Sequence, residues 1–288
     1  MSMSLSRRQF VLATAAAAGA TWFDVPRLLA ASTRDASLKK YGGFPMGIQS
    51  YSLRGFGVQG AIEHVNKLGL HYVEFFGGHY APTLDAAKIA AMQATLDKLD
   101  ISISAHGVNG FSKDHDKNEQ WFKFAKAAGI KNISADPSPD AFDSLDKLVA
   151  QYDIRINIHN HGPGHRYNKV SDTLKAIEGH DKRIGFAADL GHYIRSGEDP
   201  AKVITEAGDR LYGIHLKDFA EMKGNAKGTI LGKGVMNLEE VFKALKKVKF
   251  PADGALSLEY EENPKDPIAD LEQCYANAAA AAQKVAAG

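Results

Sequence analysis

The 288-residue sequence has only one cysteine, Cys274, which excludes both an intramolecular disulfide and a metal site built from several thiolates. It also lacks excess charge of either sign, since 35 Lys and Arg oppose 34 Asp and Glu. A chain this close to neutral offers no strong field for nucleic acid or an anionic membrane surface. No stretch rich in proline or serine divides it into domains. These absences favour one globular α/β domain with a small-molecule partner and no nucleic acid.

The N-terminus differs from the rest of the chain. Arg7 and Arg8 precede a modest apolar run from Leu12 to Trp22, a pattern that resembles a twin-arginine export signal. The alternatives are a transmembrane anchor and an accidental arginine pair, but the run is short for about 30 Å of hydrocarbon. We therefore predict an export signal over residues 1–31, a linker over 32–43 and a periplasmic or other extracytoplasmic location, without stable membrane insertion after signal removal.

Strand-like and helix-like segments alternate strictly after residue 43. The predicted strands cover residues 46–52, 71–76, 101–106, 131–135, 155–160, 183–189, 211–217 and 254–260. The predicted helices cover residues 57–68, 85–98, 115–128, 140–151, 169–178, 200–207, 238–247 and 267–286. Eight strand–helix units predict a single (β/α)8 TIM barrel over residues 44–288. The competing doubly wound sheet would carry a GxGxxG turn after the first strand, and residues 52–57 lack that pattern.

Each of the last four predicted strands ends with a side chain that can bind a metal. These side chains are His159, Asp189, His215 and Glu259. Parallel barrel strands deliver their C-terminal ends to one face, so we predict that the four converge on one divalent cation. Mixed imidazole and carboxylate ligands suit Mn²⁺, Co²⁺, Zn²⁺ or Fe²⁺ better than Ca²⁺. The alternative is four separate polar groups, each hydrogen-bonded at its own strand end.

Four motifs at these strand ends carry a family resemblance. HNHG (159–162), DLGH (189–192), HLKD (215–218) and LEYE (258–261), in this order, resemble the sugar phosphate isomerase/epimerase superfamily with its xylose isomerase-like barrel. The resemblance implies a metal-dependent enzyme acting on a ketose, an aldose or an oxidised sugar, with Mn²⁺ as the first choice of metal. It also implies ligands at the ends of strands five to eight, the same four positions.

The first of these motifs departs from the family pattern. Many members have a glutamate at the position of His159, and in epimerases of this type that glutamate faces the one on strand eight as an acid/base pair. A histidine that binds a metal through one nitrogen cannot also accept a proton there. The departure therefore favours isomerisation or β-elimination over a mechanism with two glutamates.

Further residues near the strand ends complete the predicted site. We predict that Glu259, His161 and His192 act in catalysis, as bases or acids. Substrate contacts are predicted at three further positions, Glu74, His106 and Lys217, each with a structural role as the alternative. Glu74 lies between apolar residues, which predicts a raised carboxyl pKa and a proton donor.

The predicted function is a divalent-metal-dependent sugar isomerase or epimerase that removes a proton next to a carbonyl polarised by the metal. One alternative is a lyase that acts on a 3-keto-glycoside by the same proton removal; another is a non-catalytic sugar-binding protein. A DNA-repair endonuclease of the related three-metal type needs an Asp-x-His pair after strand seven, yet residues 219–236 contain no histidine. That segment is glycine-rich and is predicted to form a mobile loop over the site. A homo-oligomer remains among the options.

Overall fold

A computed structural model describes residues 33–288 of the chain. The predicted export signal, residues 1–31, lies outside the described residues. The predicted linker contains a helix over residues 33–40. Ser37–Gly288 form one compact unit. Across residues 33–288, no helix combines the length and the apolar character needed to cross a bilayer.

The compact unit is a closed parallel barrel, which confirms the predicted (β/α)8 fold. Its strands are β1 (Met46–Gln49), β2 (Tyr72–Phe75), β3 (Ser102–Phe111), β4 (Asn132–Pro137), β5 (Arg155–His159), β6 (Ile184–Asp189), β7 (Leu211–Leu216) and β8 (Ala255–Leu258). The helices that follow them are α1 (Val58–Lys67), α2 (Ala86–Lys98), α3 (His115–Ala127), α4 (Phe142–Tyr152), α5 (Val170–Ala176), α6 (Pro200–Ala207), α7 (Leu238–Val248) and α8 (Ile268–Ala287). Neighbours along the chain are neighbours in the sheet, and β8 closes the barrel against β1.

Helix ends follow local sequence chemistry. Asp85 begins α2 by accepting hydrogen bonds from the backbone N–H groups of Ala87 and Lys88. Asn237 does the same for α7 through the N–H of Glu240. Gly69 and Gly129 follow α1 and α3 with φ of +69° each, the left-handed conformation that a glycine adopts without strain. These boundaries return the chain to the bottom of the barrel and set the start of the next strand.

Strand register determines which side chains meet at the top of the barrel. Asp189, the last residue of β6, lies beside His215 of β7. On the other side of β7, His215 pairs with Ser257 of β8. His159 ends β5, one strand further around the barrel. The ends of β5 to β8 therefore form one contiguous edge.

Two segments differ from the sequence expectation. A short helix, Leu190–Arg195, follows β6 directly, with Asp189 as its N-cap. The loop over residues 219–236 begins with a short antiparallel ladder, in which Asp218–Phe219 pair with Gly228–Thr229. The buried Asp218 carboxylate also accepts hydrogen bonds from four backbone N–H groups, those of Phe219, Gly232, Gly234 and Met236. One carboxylate thus holds both ends of this loop, and the mobility of the loop stays a prediction.

Candidate metal centre

The four predicted metal ligands meet at the C-terminal face of the barrel. One ligand atom from each of His159, Asp189, His215 and Glu259 lies within 4.8 Å of all the others. His215 Nδ1 is 3.1 Å from His159 Nε2, 3.3 Å from Glu259 Oε2 and 3.7 Å from Asp189 Oδ2. All four residues are buried. Two imidazole nitrogens and two carboxylate oxygens at these separations can hold a divalent cation.

Asp189 is held from two sides. The side chain of Asn160 accepts a hydrogen bond from the backbone N–H of Asp189 at 2.8 Å and donates one to the Asp189 carbonyl at 3.0 Å. Asp189 Oδ1 accepts from the backbone N–H of His192 at 2.7 Å. Its other oxygen, Oδ2, is buried and accepts no well-aligned hydrogen bond from the described residues, although the Lys217 ammonium lies 3.1 Å away. That oxygen points into the cluster, as a ligand atom would.

Glu74 lies behind His215 and not against the cavity. His215 Nε2 donates to Glu74 at 3.0 Å, and the hydroxyls of Ser134 and Ser257 donate to the same carboxylate at 2.6 and 2.9 Å. Burial alone would raise the pKa of Glu74, but the charge and hydrogen bond of His215 and the two serine hydroxyls lower it. The predicted raised pKa is wrong, and the predicted substrate contact is corrected to a contact that orients His215.

Lys217 places an ammonium beside the carboxylates of the cluster. Its Nζ lies 3.1 Å from Asp189 Oδ2 and 2.8 Å from Glu261 Oε1, and it also pairs with Glu259 at 2.5 Å. Burial alone would lower the pKa of Lys217, but these carboxylates raise it, so the side chain stays charged. The predicted substrate contact is corrected, because the Lys217 side chain is 5% exposed and three carboxylates surround its ammonium.

His106 does not reach the site. It is buried, with Nε2 bonded to the Tyr80 carbonyl at 2.8 Å and Nδ1 3.1 Å from the Asn109 amide nitrogen. The rings of Trp121 and Phe124 pack beside it. Both ring nitrogens are thus occupied within the protein, and the predicted substrate contact at His106 is corrected to a structural role.

A cavity of about 270 Å³ opens beside the cluster and is lined by two of the four ligands, His159 and Glu259. All three residues predicted to act in catalysis, Glu259, His161 and His192, line this cavity. The lining residues are Gln49, Tyr51, Phe76, Gly77, Gly107, Val108, His159, His161, His192, Glu259 and Glu261. Sequence reasoning missed the contributions of β1 and β3 to this wall. Gln49 carried a usable signal, since it is a polar residue at the end of an apolar strand.

His161 and His192 stack at the cavity wall, with ring centroids 5.6 Å apart. Burial, followed by the charges of His159 and His165, lowers the pKa of His161 to about 4. Burial lowers the pKa of His192 to about 3, against the opposing effect of Asp189. Both imidazoles are therefore neutral at pH 7 and present lone pairs or N–H groups to the cavity.

The buried charges fit a divalent cation. The carboxylates of Glu74, Asp189 and Glu259 outnumber the single ammonium of Lys217 by two when the histidines are neutral. Burial alone would lower the pKa of His215, but Glu74 and Glu259 raise it well above its ordinary value. A proton on His215 thus offsets part of the excess negative charge in the metal-free protein. A divalent cation bound by the four ligands would balance the excess of these three carboxylates over Lys217.

A parallel eight-stranded barrel with this donor cluster at its C-terminal face defines a xylose isomerase-like protein. The chain belongs to the xylose isomerase-like TIM barrel family, which it matches over residues 62–279. The inosose dehydratase of Clostridium botulinum (strain Eklund 17B / Type B) is 28% identical over 168 residues, 53% of this chain and 51% of that protein. The chain spans about half the length of the curated relatives it matches.

Solved structures show the same fold. An uncharacterised protein of Parabacteroides distasonis ATCC 8503 shares 26% identity with a TM-score of 0.62, over 80% of this chain and 96% of that one. The apo form of 3-keto-D-glucoside 4-epimerase from E. coli superposes with a TM-score of 0.64 at 16% identity, over 82% of this chain and 98% of that one. At this low identity, the second likeness shows the fold alone.

Proposed function

We propose that this protein is a sugar-modifying lyase that acts on an uncharged keto sugar or keto polyol. In this reaction a base removes the hydrogen on the carbon next to the ketone. The electrons of that C–H bond form a C=C bond, and the oxygen substituent on the following carbon leaves with its bonding electrons and takes up a proton. The dehydratase relatives support this proposal, because a dehydratase expels water in this way.

The position of His159 is the observation that carries the proposal. Its Nε2 lies inside the donor cluster, 3.1 Å from His215 Nδ1 and 3.6 Å from Asp189 Oδ2. A lone pair committed there is not free to accept a proton from carbon. Elimination needs one base at the carbon and a donor at the leaving oxygen, whereas epimerisation through facing carboxylates needs two bases.

Protein residues can supply both functions. A divalent cation, Mn²⁺ by first choice, would supply Lewis acidity toward the ketone oxygen when bound by the four ligands. Glu259 lines the cavity, and although burial alone would raise its pKa, Lys217 and His215 lower it, so the carboxylate is ionised and can act as base. His161 is the second candidate base. Glu261, with a side chain 44% exposed at the mouth, is placed to exchange protons with solvent.

Isomerisation or epimerisation is the second candidate function. His161 and His192 both face the cavity and are neutral, so one of them could take the place of the second glutamate. A keto sugar is the substrate class for this candidate as well, because the first step again removes a hydrogen next to a ketone. Both candidates share the first proton removal and differ in the fate of the product.

The fate of the β-substituent separates the two candidates. Purified protein with Mn²⁺ is incubated in D₂O with a methyl 3-keto-glucoside and with inosose, and products are followed by NMR and ultraviolet absorbance. Elimination releases methanol or water and produces an absorbing conjugated enone. Epimerisation instead incorporates deuterium with the substituent retained, and that result would refute the lyase. Glu259→Gln is the inactive control, and turnover of sugar phosphates alone would refute both candidates.

We also propose that the protein acts outside the cytoplasm, on the motif at Arg7 and Arg8. Residues 1–31 fused to a fluorescent reporter should direct it to the periplasm of a bacterium with a working twin-arginine pathway. Replacing both arginines with lysine should keep the reporter inside. Export that is unaffected by this replacement would contradict the proposal.

A further inference from the structure

Arg195 connects the cavity wall to the loop over residues 219–236. It is the last residue of the short helix after β6 and is half-buried. Its Nε donates to the carbonyl of Gly224 at 2.8 Å, and its guanidinium carbon lies 5.5 Å from the ring centroid of Phe219. Its Nη1 lies 3.4 Å from Nδ1 of His192. One side chain therefore touches both the anchored loop and a histidine of the cavity.

The surrounding backbone leaves room for this guanidinium. A Cβ atom added at Gly162 would lie 3.2 Å from Arg195 Cζ and 3.4 Å from its Nη1. That distance is tighter than an ordinary carbon contact, so any larger residue at position 162 would press on the guanidinium. Arg195 is thus held between the loop after β5 and the loop after β7.

The hydrogen bond from Arg195 determines where His192 carries its proton. Arginine has five N–H donors and no acceptor, so Nδ1 of His192 must be the acceptor. A neutral imidazole with an unprotonated Nδ1 carries its hydrogen on Nε2. The Nε2 atom is 3.8 Å from Asp189 Oδ2, beyond hydrogen-bond distance, and the ring lines the cavity. No hydrogen bond among residues 33–288 engages this N–H, so it can be offered to a ligand.

We propose that Arg195 is a positioning residue that holds His192 as the Nε2–H tautomer, so that His192 donates a hydrogen bond to a substrate oxygen. His192 then polarises or protonates an oxygen and does not accept the carbon-bound hydrogen. The assignment of the tautomer does not depend on the proposed function. The role of His192 as a donor to a substrate oxygen rests on the proposed function. With this assignment, Glu259 or His161 is the base at the cavity and His192 is the hydrogen-bond donor.

Nitrogen NMR tests the tautomer without any assay of activity. In protein labelled with ¹⁵N-histidine, studied as purified and after addition of diamagnetic Zn²⁺, His192 should show a protonated Nε2 and an unprotonated Nδ1. Arg195→Met keeps the aliphatic stem but removes the donors, and should give a mixture of tautomers. Arg183→Ala is the matched control, since Arg183 pairs with Asp181 and Asp153 near the start of β6. A protonated Nδ1 in the unsubstituted protein, or no change in Arg195→Met, would overturn the proposal.

Kinetics test the role of His192 as donor. The side-chain amide of His192→Gln offers an N–H near the position of Nε2 but cannot act as a base. We expect this variant to keep kcat within about tenfold, whereas His192→Leu loses about 10²-fold, the usual effect of one lost donor. Arg195→Met should lower kcat by about 10- to 100-fold with little change in KM. Equal losses in the glutamine and leucine variants would refute the assignment of His192 as a donor.

If no tested substrate turns over, the proposed function fails while the tautomer measurement still decides the role of Arg195. If elimination is observed but Nδ1 of His192 carries the proton, the proposed function survives and this inference fails. The two measurements therefore separate the two ideas.

Discussion

Glu74→Gln should weaken metal binding although Glu74 touches neither the cavity nor the cluster of ligand atoms. The Glu74 carboxylate accepts three hydrogen bonds, from His215 Nε2, Ser134 Oγ and Ser257 Oγ. A glutamine keeps one acceptor oxygen and turns the other position into a donor. At least one buried donor, from His215 or a serine, is then left without an acceptor. The negative charge behind His215 is lost as well.

Two separate effects are expected. Removing an outer partner of a metal-binding histidine typically costs 10- to 100-fold in affinity, which is about 1.4 to 2.8 kcal/mol. We therefore expect Mn²⁺ to bind 10- to 100-fold more weakly in Glu74→Gln. Leaving one buried donor unsatisfied costs about 1 to 3 kcal/mol, so the metal-free variant should also lose about that much unfolding free energy.

Isothermal titration of the metal-free protein with Mn²⁺ at fixed pH measures the change in Kd directly. Glu63→Gln is the matched control, because Glu63 lies on the exposed face of α1 and bonds only to Gln59 among the hydrogen bonds of the described chain. Circular dichroism must show that both variants are folded. An unchanged Kd in folded Glu74→Gln would refute the argument that the charge behind His215 tunes its affinity for metal.

Three further outcomes follow from the site. His215 has a raised pKa and is protonated in the metal-free protein near neutral pH. That proton must leave before Nδ1 can bind the metal, so the affinity for Mn²⁺ should rise with pH, by up to about tenfold per pH unit below that pKa. A pH-independent Kd would contradict this. Chelating the metal should lower the melting temperature, because ligand at 100 times Kd adds about 2.7 kcal/mol of stability; equal melting with and without Mn²⁺ would argue against a metal site. A Cβ at Gly191 would lie 2.7 Å from Lys217 Cγ. Gly191→Ala should therefore lower the free energy of unfolding measured in urea by about 1 to 3 kcal/mol. Gly110 has open space around it, so Gly110→Ala should change the stability little.

The sequence was sufficient to predict the barrel because its signals are local and repeated. Strand-like and helix-like segments alternate eight times, and residues with local capping chemistry, such as Asp85 and Asn237, stand at helix starts in the structure. Parallel strands then leave few ways to close the sheet. The missed features are those that local signals do not encode. The short helix Leu190–Arg195 is capped by Asp189, and the sequence had suggested only a metal-binding role for that side chain.

The metal ligands were easier to predict than their partners for a physical reason. Each of the four ligands ends a strand, and the topology alone brings strand ends together. Whether a buried polar residue faces the cavity or the layer beneath depends on strand tilt and register, which sequence pattern does not supply. Glu74 thus lies below the ligands, bonded to β4 and β8 as well as to His215. Lys217 lies two residues after a ligand, as expected, but three carboxylates occupy its charge.

The exchange of glutamate for histidine at position 159 changes the charge of the site as well as its number of bases. With neutral imidazoles in the site, the carboxylates of Glu74, Asp189 and Glu259 exceed Lys217 by the two charges that a divalent cation would balance. Within the described chain, the residues lining the cavity include Glu259 and Glu261 but no lysine or arginine. A phosphate would therefore face a carboxylate at the mouth and find no cationic side chain on the wall. A neutral keto sugar meets neither penalty, so the electrostatics of the cavity favour it as substrate.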